Sequence, residues 1–270
     1  MKNAHNIGGI LFDLDGVLYV GNQVIDGAFD AIRVVQERHI PHRYVTNTTT
    51  QARDALAHKL QALGFPIEPK DILSAPAAAQ VYLRHRQFRS CHFLVADAIR
   101  EEFHEFPTSQ TAPEAVVIGD IGRAWTYDLV NQVFQMVMAG AELIALHKAK
   151  YWQTPEGLQV DIGAFVAAVE YATGKEATVI GKPSPAFFQA AVQELDCPKD
   201  EIVMIGDDID ADVGGAQKCG IRGILVRTGK YRQAYVNASA ITPDAVLDSI
   251  ACHGICDRVA WMVSAAEWAS

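Results

Sequence analysis

The chain has no apolar run of about 18 residues, the length a membrane-crossing helix needs. It has no charged-then-apolar opening of the export type and no Cys-x-x-Cys pair, and its start, Met-Lys-Asn-Ala-His-Asn, is polar. Its five cysteines, Cys91, Cys197, Cys219, Cys252 and Cys256, are odd in number. A set of that kind reads as reduced thiols, so a soluble cytoplasmic protein is expected. A basic excess is missing too: 23 Lys and Arg stand against 32 Asp and Glu, a formal charge of −9. That balance argues against a general affinity for nucleic acid or anionic membranes, because little is available to displace counterions from phosphates. A small phosphorylated substrate stays within reach, since it needs only a local site of a metal, a lysine and backbone N–H groups. No internal repeat or low-complexity tract occurs, and with half the residues apolar and a fifth charged no long stretch reads as disordered.

What is present is a chain of 270 residues, long enough for two moderate domains. The apolar run Ile7 to Phe12 ends in Asp-Leu-Asp-Gly, a buried strand delivering carboxylates at its C-terminal end. Ala28, Ala31, Ile32 and Val35 then share a helix face, and His39-Ile40-Pro41 stops that helix before a short strand at Arg43 to Thr46. Leu56, Leu60 and Leu63 form the stripe of a second helix, with Gly64 as its C-cap. Strand, helix, strand, helix is the pattern of right-handed βαβ units and hence of a parallel sheet.

From about residue 79 to 180 a second set of elements intervenes. It comprises strands at His92 to Ala96, Ala115 to Gly119 and Glu142 to His147, a helix from Ile162 to Tyr171 and a strand at Ala177 to Gly181. The first pattern resumes with a helix from Pro185 to Leu195, the run Ile202 to Ile205, a helix through Ala216 and a strand at Gly223 to Val226. The tail from Asp244 onward is drawn as one or two helices that include Trp261 and Trp268, a pair that reads as packing. The expected class is α/β: a doubly wound, Rossmann-like parallel-sheet core over 1–78 and 181–270, with an inserted α/β domain over 79–180.

Four stations fall at strand ends or helix starts: Phe-Asp13-Leu-Asp15-Gly16, Val-Thr46-Asn47-Thr48, Gly181-Lys182-Pro183, and Ile-Gly206-Asp207-Asp208 followed by Asp212. Each alone has an ordinary reading, as a turn, an N-cap string, a loop with a solvated lysine, or a helix cap. A single parallel sheet would instead bring all of them to one edge, the edge where such sheets bind ligands. There Asp13, Asp15, Asp207 and Asp212 would crowd together against a single nearby lysine, Lys182, and they could not all stay ionised without a cation. Hard oxygen ligands beside a phosphate suit Mg²⁺. Asp13 and Asp15, at i and i+2 of an extended segment, point to one side. One carboxylate can attack phosphorus while its neighbour protonates the leaving group and later activates water. Thr46, Lys182 and backbone N–H groups near Leu14 and Asp15 would meet the charge on the phosphoryl group.

The order Asp-x-Asp-Gly, Thr-Asn, Lys-Pro, Gly-Asp-Asp-x-x-x-Asp, with a large insert between the second and third stations, resembles the haloacid dehalogenase superfamily of the nagD-like, C2-cap type. That resemblance implies Asp13 as nucleophile and Asp15 as acid/base. It implies Thr46, Asn47 and Lys182 as phosphate binders, and Mg²⁺ on Asp13, Asp207 and the main-chain carbonyl of Asp15. Asp208 and Asp212 are expected behind those ligands, holding Lys182 or a metal-bound water. A dehalogenase has no need of a leaving-group acid at Asp15 or of a magnesium site, so a phosphatase is implied. A catalytically silent binding or scaffold protein of the same fold stays open beside it, as does a phosphotransferase. Caps of this type also imply a homodimer.

Substrate recognition would fall to the insert, where His147, Lys148, Lys150, Tyr151 and Trp152 lie close together after an expected strand. Lys148, Tyr151 and Trp152 are the candidates for specificity. The same residues could be solvated lysines and packed aromatics. Asp161 reads as the N-cap of the next helix.

Overall fold

The computed structural model describes residues 7–154 and 157–251. These fall into two compact units: one runs through Thr46, takes in Leu56–Leu73 and resumes at Phe188, and the other comprises Asn47–Ala55 and Ser74–Phe187.

The first unit is built on a six-stranded sheet in the order Ala245–Leu247, Arg222–Val226, Ile202–Gly206, Gly9–Asp13, His42–Thr46, Ile72–Ser74. The first five of these strands pair in parallel. Every residue of Gly9–Asp13 and Ile202–Gly206 is buried, which explains why these segments read as continuous apolar runs rather than alternating ones. From the Gly9–Asp13 strand the chain builds outward first to one side and later to the other. The C-terminal ends of Gly9–Asp13 and Ile202–Gly206 therefore flank the point where strand order reverses, the crevice in which open α/β sheets hold ligands.

The helix Ala28–Glu37 buries the four residues whose spacing announced it, Ala28, Ala31, Ile32 and Val35. Arg53–Ala62 buries Leu56, Ala57 and Leu60, and Leu63 packs on the same core just before Gly64 at φ 100°. These faces join Ile10, Phe12, Tyr44 and Ile205 in one apolar cluster.

The second unit carries a parallel four-stranded sheet, ordered Thr178–Val179, Glu142–Ala145, Ala115–Ile118, Cys91–Leu94. The helices Tyr127–Met138 and Gly163–Thr173 pack on it through Val133, Val137, Val166 and Val169. Thr126 caps the first of these helices by accepting from the Leu129 N–H.

Three expectations are corrected. The segment after Asp244 does not begin a helix: Ala245–Leu247 is the outer strand of the large sheet, with Ala245 and Leu247 buried and Val246 turned to solvent. Three residues of alternation are too short a signal to outweigh an apolar tail. Trp261 and Trp268 lie outside the described residues. Between the strand expected to end at His147 and the helix expected to start at Ile162, where no element is expected, Tyr151–Thr154 and Gly157–Val160 form an antiparallel hairpin. The helix expected to run through Ala216 is a π-helical turn, Ile209–Gly214, followed by one α-helical turn, Gly215–Lys218. No helix among the described residues is long and apolar enough to cross a membrane.

Candidate active site

Asp13 is the last residue of its strand and lies opposite Val45, so Thr46, the last residue of the neighbouring strand, is one step beyond that pairing. After Asp13 the chain turns at once. Leu14, Val17 and Leu18 are fully buried, and the turn closes through Leu18 N–H to Leu14 O (2.9 Å) and Gly16 N–H to Tyr19 O (2.7 Å). These apolar anchors leave Asp13 buried and bring Asp15 out to the surface.

Asp13, Asp207 and Asp212 are all buried, and one oxygen from each carboxylate lies within 4.8 Å of the others. Asp207 follows directly on the Ile202–Gly206 strand. Asp212 arrives through the π-helical turn, whose longer loop brings its Oδ2 back to accept from the Asp208 N–H (3.1 Å). The Asp208 carboxylate acts differently and caps the same turn, accepting from the N–H groups of Asp210 (3.0 Å) and Ala211 (2.9 Å).

A metal ion fits this donor set. Asp207 Oδ2 accepts from the Lys230 N–H (2.6 Å), but Oδ1 is buried without a hydrogen-bond partner among the described residues. Burial, then Asp13 and Asp212, push the Asp207 carboxyl up to about 8, so the group would hold a proton at neutral pH unless a cation replaced it. Three clustered carboxylates with one orphaned oxygen match what a hard divalent ion takes up. The carboxylate of Asp15 is not part of this cluster.

Backbone proximity explains the glycines. Gly16 has φ 91° and Gly229 φ 57°, and a Cβ on either would come within 2.0 Å of Asp207 Oδ2. The two chain segments meet over that carboxylate, and the Thr228 hydroxyl donates to the Gly16 carbonyl (2.5 Å).

Asp15 is raised by partial desolvation of its carboxyl and then by Asp13, against the pull of Lys230 and Lys59 and a hydrogen bond from the Gly16 backbone. The expectation of a single lysine among these carboxylates is therefore corrected. Lys230 and Lys59 both act on Asp15, and Lys59 lies over the Tyr19 ring, 4.2 Å from its centroid. Lys230 stands in a Thr-Gly-Lys string just past the Arg222–Val226 strand, so the strand-edge rule that found the other stations could have found it.

Asn47 and Lys182 belong to the second unit and are bound to each other twice. The Asn47 amide donates to the Lys182 carbonyl, and the Lys182 N–H donates to Asn47 Oδ1, both at 2.8 Å. Nearby in sequence, Thr49 Oγ1 lies 3.3 Å from His147 Nε2, and Asp161 Oδ1 lies 3.8 Å from the same nitrogen. The Ala149 N–H donates to His147 Nδ1 (3.3 Å), which leaves the proton of the neutral ring on Nε2. Burial holds the His147 imidazole below its usual value against the opposing effect of Asp161 and Asp120. Of the expected specificity residues, Lys148 is taken by Glu170 at 2.6 Å. Tyr151 is exposed on the hairpin, and the Trp152 side chain lies outside the described residues.

Comparison with known proteins gives a consistent set of likenesses. Residues 10–107 match the model described as haloacid dehalogenase-like hydrolase, and residues 179–252 match one described as HAD-hydrolase-like. The human phospholysine phosphohistidine inorganic pyrophosphate phosphatase is 38% identical over 257 residues, covering 93% of this chain and 94% of that protein. A mutant of a thermostable p-nitrophenylphosphatase from Bacillus stearothermophilus superposes with a TM-score of 0.82 at 29% identity, covering 91% of this chain and 97% of the other. NagD from Escherichia coli K-12, at 23% identity and a TM-score of 0.84, shares the fold over 91% of this chain and 98% of its own.

Proposed function

This chain belongs to the haloacid dehalogenase-like hydrolases, and from that membership we propose that it is a Mg²⁺-dependent phosphatase working through an aspartyl-phosphate on Asp13. Its substrate is a small phosphorylated metabolite, a diphosphate or a phosphoamide, the chemistry named in its relatives. The observation that carries the reading is the placement of Asp13: a buried carboxylate at the strand-order reversal, grouped with Asp207 and Asp212, with Asp15 exposed two residues on.

A carboxylate oxygen of Asp13 attacks phosphorus opposite the leaving atom. The P–O or P–N bond breaks, its electron pair passes to the leaving atom, and Asp15 delivers a proton there. The raised carboxyl of Asp15 supports this role, because it favours the protonated form that the first step uses. Water then attacks phosphorus, its proton goes to Asp15, and the bond to Asp13 breaks, releasing inorganic phosphate and restoring both groups. Asp13, Asp207 and the Asp15 carbonyl would hold Mg²⁺, with Asp212 beside them, and the ion would neutralise charge on the transferred group. Thr46 and Lys182 bind the phosphoryl oxygens on this reading. Support for Lys182 comes from the two hydrogen bonds that its backbone makes with the side chain of Asn47, the residue that follows Thr46 in the chain. A net charge of −9 and unpaired thiols at Cys91, Cys197 and Cys219 agree with a cytoplasmic enzyme that acts on small molecules rather than nucleic acid.

The test is phosphate release from p-nitrophenyl phosphate, inorganic diphosphate, phospholysine, pyridoxal phosphate and phosphoglycolate, with and without Mg²⁺, by the wild type and Asp13→Asn. Turnover that needs Mg²⁺ and falls to background in Asp13→Asn is expected. Turnover that survives the substitution would refute the mechanism.

A further inference from the structure

We propose that His147 is a positioning residue for phosphate binding: through Thr49 it ties the chain that carries Asn47 to the strand ends beside Lys182. The inference rests on the reading above that Lys182 binds the phosphoryl oxygens, and it adds the side chain that keeps that residue in place.

Three segments of the second unit converge at this point. The strands Glu142–Ala145 and Thr178–Val179 pair in parallel, and the pairing runs on past both ends. The Ile180 N–H donates to the Ala145 carbonyl (2.9 Å) and the Gly181 N–H to the Leu146 carbonyl (2.8 Å), so His147 and Lys182 are the next residues on the two sides. Asn47 closes on the same place: a Cβ on Gly181 would come within 2.7 Å of both Asn47 Oδ1 and the Leu146 carbonyl oxygen.

Residues 47–52 lie in no helix or strand, so their path is set by individual ties rather than by a ladder of backbone bonds. At one end Asn47 holds both backbone groups of Lys182. At the other the Arg53 N–H donates to Glu102 Oε1 (2.9 Å). The contact between Thr49 Oγ1 and His147 Nε2, at 3.3 Å, is the tie between them, two residues from Asn47.

The ring that makes this tie is itself fixed. Its Nδ1 accepts from the Ala149 N–H, and the Ala149 carbonyl accepts in turn from the N–H of Gly163 (2.9 Å), the first residue of the helix Gly163–Thr173. Approach there is close enough that a Cβ on Gly163 would come within 2.3 Å of the Ala149 carbonyl oxygen. With Nδ1 accepting, Nε2–H is the donor that meets Thr49. Asp161 Oδ1, at 3.8 Å from Nε2, accepts instead from the Ile162 N–H (2.6 Å). His147 and Thr49 are both buried, so removing either leaves a polar atom of the other without its partner. A histidine that only filled space here would be replaceable by leucine with no effect on phosphate.

The experiment measures kcat and KM for p-nitrophenyl phosphate, and the inhibition constant of inorganic phosphate, in the full chain with Mg²⁺. The proteins are the wild type, His147→Leu, His147→Gln, Thr49→Val and the double variant His147→Leu/Thr49→Val. His147→Leu and Thr49→Val are each expected to raise KM and the phosphate inhibition constant about fivefold, the worth of one hydrogen bond, with kcat changed by less than about twofold. The double variant should be no worse than either single one, because both remove the same bond. His147→Gln, which keeps an N–H donor for Thr49, should bring KM back towards the wild type. Thr49→Val keeps the branched shape of the side chain and decides the matter if His147→Leu does not fold. An unchanged KM and phosphate inhibition constant in Thr49→Val, or losses that multiply in the double variant, would overturn the inference and leave the phosphatase reading standing. A wild type that releases phosphate from nothing in the panel overturns both.

Discussion

Chelating the metal should make this protein less stable as pH rises, and Asp207→Asn should remove that dependence. In the metal-free chain the Asp207 carboxyl is pushed from 3.8 up to about 8, chiefly by burial and then by Asp13 and Asp212. The folded chain therefore holds a proton that the unfolded chain has already released. Stability from this group is fully present below the unfolded value and is lost as pH climbs towards the folded one. At pH 7 the unfolded carboxyl is about 3 pH units past its midpoint, and at about 1.4 kcal/mol per unit the penalty is on the order of 4 kcal/mol. A neutral Asn keeps an oxygen for the Lys230 N–H and carries no such penalty. Thermal melts in excess chelator from about pH 5 to about pH 8 should show the wild type losing on the order of 10 °C while Asp207→Asn stays nearly flat. Added Mg²⁺ should restore the wild type and do little for the variant, since a carboxylate is needed to take the ion. A chelated wild type whose melting temperature does not move with pH, or an Asn variant that melts below it at the alkaline end, would refute this account of the cluster.

Asn47→Ala removes both hydrogen bonds that hold the Lys182 backbone, so it should raise KM for p-nitrophenyl phosphate by about tenfold and lower stability by about 1–2 kcal/mol. Steady-state kinetics and denaturant titration read the two effects, and an unchanged KM would separate Lys182 from phosphate binding. Gly16→Ala places a Cβ within 2.0 Å of Asp207 Oδ2 at a φ of 91°, so Mg²⁺ affinity by calorimetry should fall at least tenfold, and full affinity would show that the turn can shift aside.

The elements and the carboxylates were legible in the sequence for one physical reason. A buried parallel strand is a continuous apolar run, and its C-terminal end is where ligands bind, so Asp13, Thr46 and Asp207 announced themselves as polar residues closing such runs. The distinction between Asp208 and Asp212 was not legible. Both follow Asp207 closely, and it is the π-helical turn at Ile209–Gly214 that returns Asp212 to the cluster and leaves Asp208 as a cap. No periodicity in six residues separates a π from an α turn. Lys230 lay within reach of the strand-edge rule, since its Thr-Gly-Lys string follows the Arg222–Val226 strand, and only the fold shows that its N–H bonds Asp207. The side-chain contacts described in each unit have a further property in common. Asp207 bonds the Lys230 N–H, Thr228 bonds the Gly16 carbonyl, and Asn47 bonds both backbone groups of Lys182. Almost any residue at 230, 16 or 182 would offer those backbone groups, so no pattern of residue types marks the partner, and only the folded chain shows which side chain has found which carbonyl or N–H.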